Sequence, residues 1–524
     1  SGIDGSLKMN SLIYENTGSG FQAIFTSDFV GVRYSSTSLG DINDDGLLDV
    51  FLSGTDINNK PISKLYLNQK TAFKEIYEGQ IEGLYYGGSQ LGDYDNDGDL
   101  DLFVTGMNSS NAPISRLYQN TGNGFSEMFS GIFVGLRYGN CNFVDIDNDQ
   151  DLDLFICGQN INGEAQSKFY IKSATSYSEA FDGVAIGVFG SSSSFGDYDS
   201  DGLPDLMLTG KNPSNTFSKL YRNSGSGFTE VYVNNFTGVA YGSANFADMD
   251  QDGDVDLFLS GIYAGTTHKS ELYANVDNGT NTAPNMPIAL SAKQINAHTA
   301  ELSWQYPSDA QTPTLGLNYN FYIGTSPNRQ DIRSAAANLA TGKRLVAERG
   351  AAQGAVTQKI HDLPYGTYYY SIQAIDGSFM GSSFATEQSF TLSDIAPNVP
   401  QNFQVSAVDH GVKLSWNVNN ESDFLQYLIY TKYFDGAVWK YKVVDSIKNI
   451  GQSTVEYNGL AAGTERIYSI SAQDNARNES PRSIDVSATP YNDAPNPVAD
   501  FNFVAGDRSL TFDWTKNNNT DFMA

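Results

Sequence analysis

An all-β chain is predicted, an array of repeated four-stranded sheets followed by β-sandwiches, and three observations predict it. An acidic loop recurs with starts at Asp41, Asp93, Asp145, Asp197 and Asp248, spaced 52, 52, 52 and 51 residues. Short apolar runs of strand length, bounded by Gly, Asn and Asp, alternate with turns between these loops. After the linker Thr282-Ala283-Pro284-Asn285-Met286-Pro287 the period breaks, and a cycle of about 100 residues with an early Trp and a late Tyr takes over.

The loop is clearest in Asp93-Tyr94-Asp95-Asn96-Asp97-Gly98-Asp99-Leu100-Asp101. Carboxylates stand at positions one, three, five and nine, and position seven can offer its backbone carbonyl. Oxygen-only ligands at this spacing suit a hard cation; Ca²⁺ takes six to eight oxygens in a flexible geometry, whereas Mg²⁺ demands a tighter octahedron. About five Ca²⁺ sites are therefore expected. Their ligands are Asp41, Asn43, Asp45, Leu47 and Asp49; Asp93, Asp95, Asp97, Asp99 and Asp101; Asp145, Asp147, Asp149, Asp151 and Asp153; Asp197, Asp199, Asp201, Leu203 and Asp205; and Asp248, Asp250, Asp252, Asp254 and Asp256. Position six is Gly in four loops, which predicts a positive φ there. The third loop has Gln150 instead, where a forced positive φ costs on the order of 1 kcal/mol, so this site is expected to bind most weakly or to bend differently. An EF-hand would need a bidentate Glu at position twelve and flanking helices. Position twelve is Val104, and Leu100, Leu102 and Val104 alternate as in a strand.

Each repeat reads as a Gly-apolar-x-aromatic entry, a short strand, the acidic loop, an apolar strand ending in Gly, a polar loop, a Leu-Tyr strand, a Gly-rich turn and a last strand opening on an aromatic. A repeat of about 50 residues with four short strands is the pattern of a β-propeller blade. In a meander the first and third connections share one face, which places the acidic loops opposite the polar second connections. The phrases Leu39-Gly40-Asp41-Ile42-Asn43-Asp44-Asp45-Gly46 and Leu102-Phe103-Val104-Thr105-Gly106 resemble the FG-GAP (VCBS-type) repeats of integrin alpha-chain propellers and many bacterial surface proteins. That resemblance spans residues 1–280 and implies a seven-bladed propeller with calcium on one face and ligands on the other. Five acidic loops are present, preceded by a fragment, Leu12 to Phe25, matching the third and fourth strands of an earlier blade, and the last blade lacks a fourth strand after Tyr273. N-terminal blades are therefore expected to be missing, with a compact ring of five or six blades as the alternative.

The 524 residues leave room for three or four domains, and 40% hydrophobic with 13% aromatic residues can fill their cores. The formal charge of −29, from 31 basic and 60 acidic residues, argues against nucleic acid and anionic membrane as partners. The five loops hold 23 of the 60 acids, and five Ca²⁺ would bring −29 to −19. No run of 18 apolar residues occurs, so no transmembrane helix is expected. The chain opens Ser1-Gly2-Ile3 and stops after Trp514 in strand-like sequence, so both ends are expected to be cut and any export signal to lie out of view.

Residues 285–395 and 396–490, with Leu302-Ser303-Trp304 and Leu414-Ser415-Trp416 early and Tyr368 and Tyr468 late, and the start of a third copy in 495–524 at Pro495-Asn496-Pro497, resemble fibronectin type III sandwiches. They are read as spacers. Gly324-Thr325-Ser326-Pro327 and Gln373-Ala374-Ile375-Asp376 are similar to modules that accompany such propellers in large secreted proteins of Bacteroidota, which implies export by type IX secretion and an outer-membrane translocon as partner.

Cys141 and Cys157 lie four residues outside Asp145 and Asp153 and could face each other across one hairpin, as a disulfide or as two small buried residues. The four His are scattered, and no nucleophilic triad, zinc-type cysteine spacing or phosphate loop occurs. Arg33, Tyr34, Tyr86, Arg137, Tyr138 and Tyr241 are placed near the axis beside Asn-, Ser- and Thr-rich loops, a candidate surface for glycan or protein. The expected function is a non-enzymatic, calcium-stapled adhesion or binding protein, secreted or on the cell surface. The rival is a polysaccharide lyase on the same scaffold, which would need a basic or carboxylate cluster inside a cleft; a third reading is cargo or partner of the secretion machine.

Overall fold

A computed structural model of the protein describes residues 1–515 apart from 7, 251, 264, 277–280, 297, 347, 353–354, 362, 422 and 493–499. The second strand of each repeat reads as an unbroken apolar run because both of its faces are covered. Asp49–Thr55 and Asp101–Met107 are buried at every position. Four antiparallel sheets follow one another, each with strands in sequence order: Arg33–Gly40 to Phe73–Ile76, Ser89–Gly92 to Phe125–Met128, Arg137–Val144 to Ser176–Ala180, and Phe189–Gly196 to Phe228–Val231. A fifth has three strands among the described residues, Ala240–Ala247, Asp256–Tyr263 and Thr267–Tyr273. Ile13–Asn16 pairs with Phe21–Ile24 as the expected remnant hairpin.

Apolar cores form between successive sheets, so each sheet is covered by the next. Phe103 and Leu117 of the second pack with Phe143, Leu154 and Tyr170 of the third, and Phe155 and Phe169 of the third with Leu206 and Tyr221 of the fourth. Among the described residues no strand pairing joins the first sheet to the fifth.

Two sandwiches follow. In the first, Ile288–Asn296, Thr299–Gln305 and Thr357–Ile360 form one layer and Asn318–Gly324, Gly366–Ile375 and Gln388–Leu392 the other. Trp304 meets Tyr319 edge-on at 5.2 Å, and the Tyr368 hydroxyl donates to the Pro364 carbonyl at 2.7 Å. The second sandwich has layers of three and four strands between Gln404 and Ala488, with Trp416 against Tyr427 at 5.4 Å. Beyond it lies the hairpin of Asn502–Gly506 and Ser509–Asp513; Pro495 to Pro497 and positions 516–524 of the expected third copy lie outside the described residues. The reading of both sandwiches as spacers needs correction. Residues 1–392 form one compact unit and 393–524 another, so the first sandwich belongs with the repeats.

The cysteines do not face each other. The register sets Asp153 opposite Val144, one short of Asp145, so Cys157 falls opposite Asn140 and Cys141 opposite Ile156. Offset by one residue, the two side chains point to opposite faces of the sheet. Cys141 joins the core with the second sheet and Cys157 the core with the fourth, both as free thiols, and burial pushes both thiols up from their ordinary range. Titration with a thiol reagent should therefore find both thiols only after denaturation, and reductant should leave the intact mass unchanged; a gain of two hydrogens on reduction would contradict this register.

Candidate functional site

Each acidic loop is built by its own carboxylates binding its own backbone. The position-one carboxylate accepts the N–H groups of positions five and six, at 3.0 and 2.9 Å in Asp41, 3.1 and 3.0 Å in Asp93, 3.0 and 3.0 Å in Asp145 and 3.0 and 2.8 Å in Asp197. Position five then accepts the N–H of position seven, as Asp97 does from Asp99 at 2.9 Å. This winding drives position six to positive φ: +86° at Gly46, +102° at Gly98, +76° at Gln150, +87° at Gly202 and +102° at Gly253. Gly46 meets a second demand, since a Cβ there would lie 2.1 Å from the Ile332 carbonyl oxygen. Position four is left-handed as well, in Asp44, Asn96, Asn148 and Ser200, a feature sequence reading missed although Asp, Asn and Ser tolerate αL through local hydrogen bonds.

In four loops the carboxylates of positions one, three and nine converge with oxygens within 4.8 Å: Asp93, Asp95 and Asp101; Asp145, Asp147 and Asp153; Asp197, Asp199 and Asp205; Asp248, Asp250 and Asp256. Position nine is the hub. Asp49, Asp101, Asp153, Asp205 and Asp256 each accept one N–H from the residue after position one, between 2.8 and 3.0 Å, and one from the end of the third strand, between 2.7 and 2.9 Å. Burial pushes Asp93 and Asp197 up to about 7 and Asp101 and Asp205 up to about 9, because carboxylates taken out of water next to one another disfavour their charged forms. Of the position-seven residues, expected to serve through their carbonyls, Asp151 sends its carboxylate to Lys172 and Asp99 turns toward Asp44 and His361.

The Leu-Tyr motif of the third strand belongs to the same construction. Leu117 enters the core, the Tyr118 hydroxyl accepts the Glu82 N–H at 3.3 Å, and the Asn120 amide side chain donates to the Ile42 carbonyl of the preceding loop at 3.0 Å. Asn223 and Asn275 reach Ile146 and Tyr198 in the same way. Neighbouring sheets are thus tied at the loops.

The first sandwich packs on the acidic loops, which no local pattern could announce because its residues lie hundreds of positions downstream. Arg333 donates from Nη1 to Asp41 Oδ2 at 3.0 Å, Ser378 Oγ donates to the Asp197 carbonyl at 2.9 Å, and the half-buried Arg349 lies beside Asp145. Gln150 Nε2 donates to Tyr306 Oη at 2.8 Å. Gln150 therefore trades backbone strain against a contact with the sandwich. Gln150→Gly should change stability by less than about 0.5 kcal/mol, as relief of roughly 1 kcal/mol of strain offsets the lost bond, whereas Gln150→Ala, which keeps the strain and loses the bond, should cost about 1 kcal/mol. Equal melting of the two variants would show that neither term operates.

On the opposite side, the predicted aromatic slot lies at a β-bulge in the first strand, where pairing slips between Arg33 and Ser36, Arg137 and Asn140, Phe189 and Ser192, and Ala240 and Ser243. Tyr34, Tyr86, Tyr138 and Tyr241 all have φ between +53° and +56°. The N–H of Tyr86 donates to the Tyr34 carbonyl at 3.0 Å and that of Tyr138 to the Tyr86 carbonyl at 2.6 Å, and the rings follow at 4.1 and 4.6 Å. Arg33 lies over Tyr34 at 5.1 Å and Arg137 over Tyr138 at 5.3 Å. Arg33 also reaches Asn59 in the second connection, and Arg137 reaches Gln159 at the end of the second strand. Tyr34 and Tyr241 are about half exposed at 45% and 54%. Gly190 interrupts the row because a Cβ there would lie 2.7 Å from the Tyr241 ring; Tyr241 occupies that space, and Lys211 sits 5.4 Å from its centre. Between the two faces lies a polar cavity of about 660 Å³, lined by first-strand Ser and Asn residues and, at the sandwich end, by Asp41, Asp44, Arg333, Glu348 and Arg349.

A family described as FG-GAP-like repeat matches residues 41–104, 93–156 and 197–259. No curated protein matches the chain. Among solved structures, the chain is similar to the FN1–FN3 domains of chicken CNTN1, with 15% identity over 44% of this chain and 76% of that one and a TM-score of 0.21. It is also similar to the chicken interferon gamma receptor alpha chain, with 14% identity over 39% and 97% of the two chains and a TM-score of 0.28. FG-GAP-like repeats thus lie within the array of repeat sheets, and two β-sandwiches follow it.

Proposed function

We propose that the five sheets are successive blades of a calcium-stapled β-propeller, and that the protein acts outside the cell, binding a glycan or protein through the face that carries Tyr34, Tyr86, Tyr138 and Tyr241. The tyrosine row carries this reading. Four bulky residues held in left-handed backbone cost about 1 kcal/mol or more each, and such strain gathers where side chains are presented for use. The exposed Tyr34 and Tyr241 rings, with Arg33 over the one and Lys211 over the other, and amide-rich loops at the rim suit stacking against sugar rings or peptide side chains. FG-GAP-like repeats beside fibronectin-like domains fit an adhesion-type protein at a cell surface. No described helix is long and apolar enough to cross a membrane, and type IX export is part of the same proposal.

The acidic loops support the metal half of the reading: three converging carboxylates with backbone turns already satisfied leave oxygen lone pairs facing one point, as a hard cation of calcium size requires. The enzymatic rival draws on the polar cavity, whose carboxylates and arginines supply the cluster it needs. Binding is favoured because Arg333 is already engaged with Asp41.

Glycan and extracellular-protein arrays probed with the full chain at millimolar Ca²⁺ test the proposal. A hit weakened at least about tenfold by Tyr86→Ala, with near-UV circular dichroism intact, supports it. No binding on either array, or binding unaffected by Tyr86→Ala and Arg137→Ala together, counts against it.

A further inference from the structure

One group of ligating side chains lies outside the repeated loop pattern. Asp44 comes from position four of the first loop, Asp99 from position seven of the second and His361 from the sandwich, and one ligand atom of each lies within 4.8 Å of the others. Asp44 is 4% exposed; its Oδ1 faces Arg333 Nη1 at 3.8 Å, and its Oδ2 is buried with no hydrogen-bond partner. A carboxylate oxygen buried in this way is costly unless something fills the place in front of it. No hydrogen bond or ion pair joins Asp44, Asp99 and His361 among the described contacts. Their ligand atoms lie within 4.8 Å of one another, so modest side-chain rotations bring them onto one ion whose ligands sit at about 2.0–2.2 Å. The His361 ring is held by Thr299, whose Oγ1 lies 3.3 Å from Nδ1, the kind of outer contact that orients a metal-binding imidazole.

We propose that Asp44, Asp99 and His361 bind a single divalent transition-metal ion of the zinc class. Two carboxylates neutralise its charge, and the imidazole selects against calcium and magnesium, which take oxygen ligands. The ion ties the first two repeat sheets to the sandwich, three segments far apart in the chain. The site is separate from the converging carboxylates of positions one, three and nine, so it stands whether or not those hold calcium.

The test dialyses the full chain in millimolar Ca²⁺ against micromolar Zn²⁺ and measures both metals by mass spectrometry. Wild type is expected to retain one Zn²⁺ per chain, His361→Gln to weaken zinc binding at least about tenfold with calcium content unchanged, and Asp99→Asn to weaken zinc binding as far. Asp99→Asn, at a partly exposed position, provides the reading if His361→Gln does not fold. Wild type that retains no zinc in calcium, or a folded variant that holds zinc as tightly as wild type, overturns the proposal. Calcium content reports on the loops separately, so failure of one reading is distinguished from failure of the other.

Discussion

Removing calcium with a chelator should lower the melting temperature of the repeat unit by roughly 15–30 °C. Extracellular calcium modules bind at about 10⁻⁴–10⁻³ M, and a ligand at ten times its Kd stabilises the folded state by about 1.4 kcal/mol per site. About five such sites sum to some 7 kcal/mol, and in units of this size each kcal/mol moves the midpoint by about 2–4 °C. The geometry gives the cause: four loops hold three converging carboxylates each, and at Asp93, Asp101, Asp153 and Asp205 burial is the leading unfavourable influence. Without a cation the like charges face one another out of water. Melting with and without chelator, followed by near-UV circular dichroism, decides the matter. An unchanged midpoint on calcium removal would sink the calcium reading, and restoration by Mg²⁺ alone would reassign the ion.

The second large effect is expected at position nine. In calcium, Asp101→Ala should cost about 3–5 kcal/mol, because it orphans the buried N–H groups of Tyr94 and Asn120 and deletes a carboxylate from the converging group. Those N–H groups lie 3.0 and 2.8 Å from the two Asp101 oxygens, and the side chain has no exposure. Asp101→Asn keeps an acceptor for one N–H and should lose roughly half as much. Asp97→Ala, at an exposed position with one local bond to the Asp99 N–H, should cost under about 1 kcal/mol by the same accounting. Chemical denaturation of the three variants ranks them. A position-nine alanine as mild as the position-five one would show that the hub is replaceable.

Much of the repeat architecture was legible because each repeat carries its own instructions at short range. The alternation after Gly98 makes a strand, the carboxylates at positions one and five wind the loop, and the fully apolar second strand announces burial on both faces. Even the odd Gln150 was foreseen at positive φ, since neighbouring N–H groups bind Asp145 whatever the side chain at position six. The bulge that strains Tyr34, Tyr138 and Tyr241 was not legible, because a slip in pairing depends on the partner strand. The cysteines show the same limit: symmetry about the loop suggested that they face each other, and a register offset of one residue put them in different cores.

What the sequence determined by itself was the content of each unit: strands, loops, carboxylate positions, the count of repeats and the sandwich pattern, all governed by residues within about 50 positions of one another. Only the tertiary structure decided what meets across greater distances. Arg333 on Asp41, Tyr306 on Gln150 and His361 beside Asp44 and Asp99 join segments that share no periodicity, and packing of a sandwich on a loop face depends on shape and charge summed over many side chains. No local pattern encodes that sum, which is why the sandwich first read as a spacer proves to be part of the same compact unit as the loops.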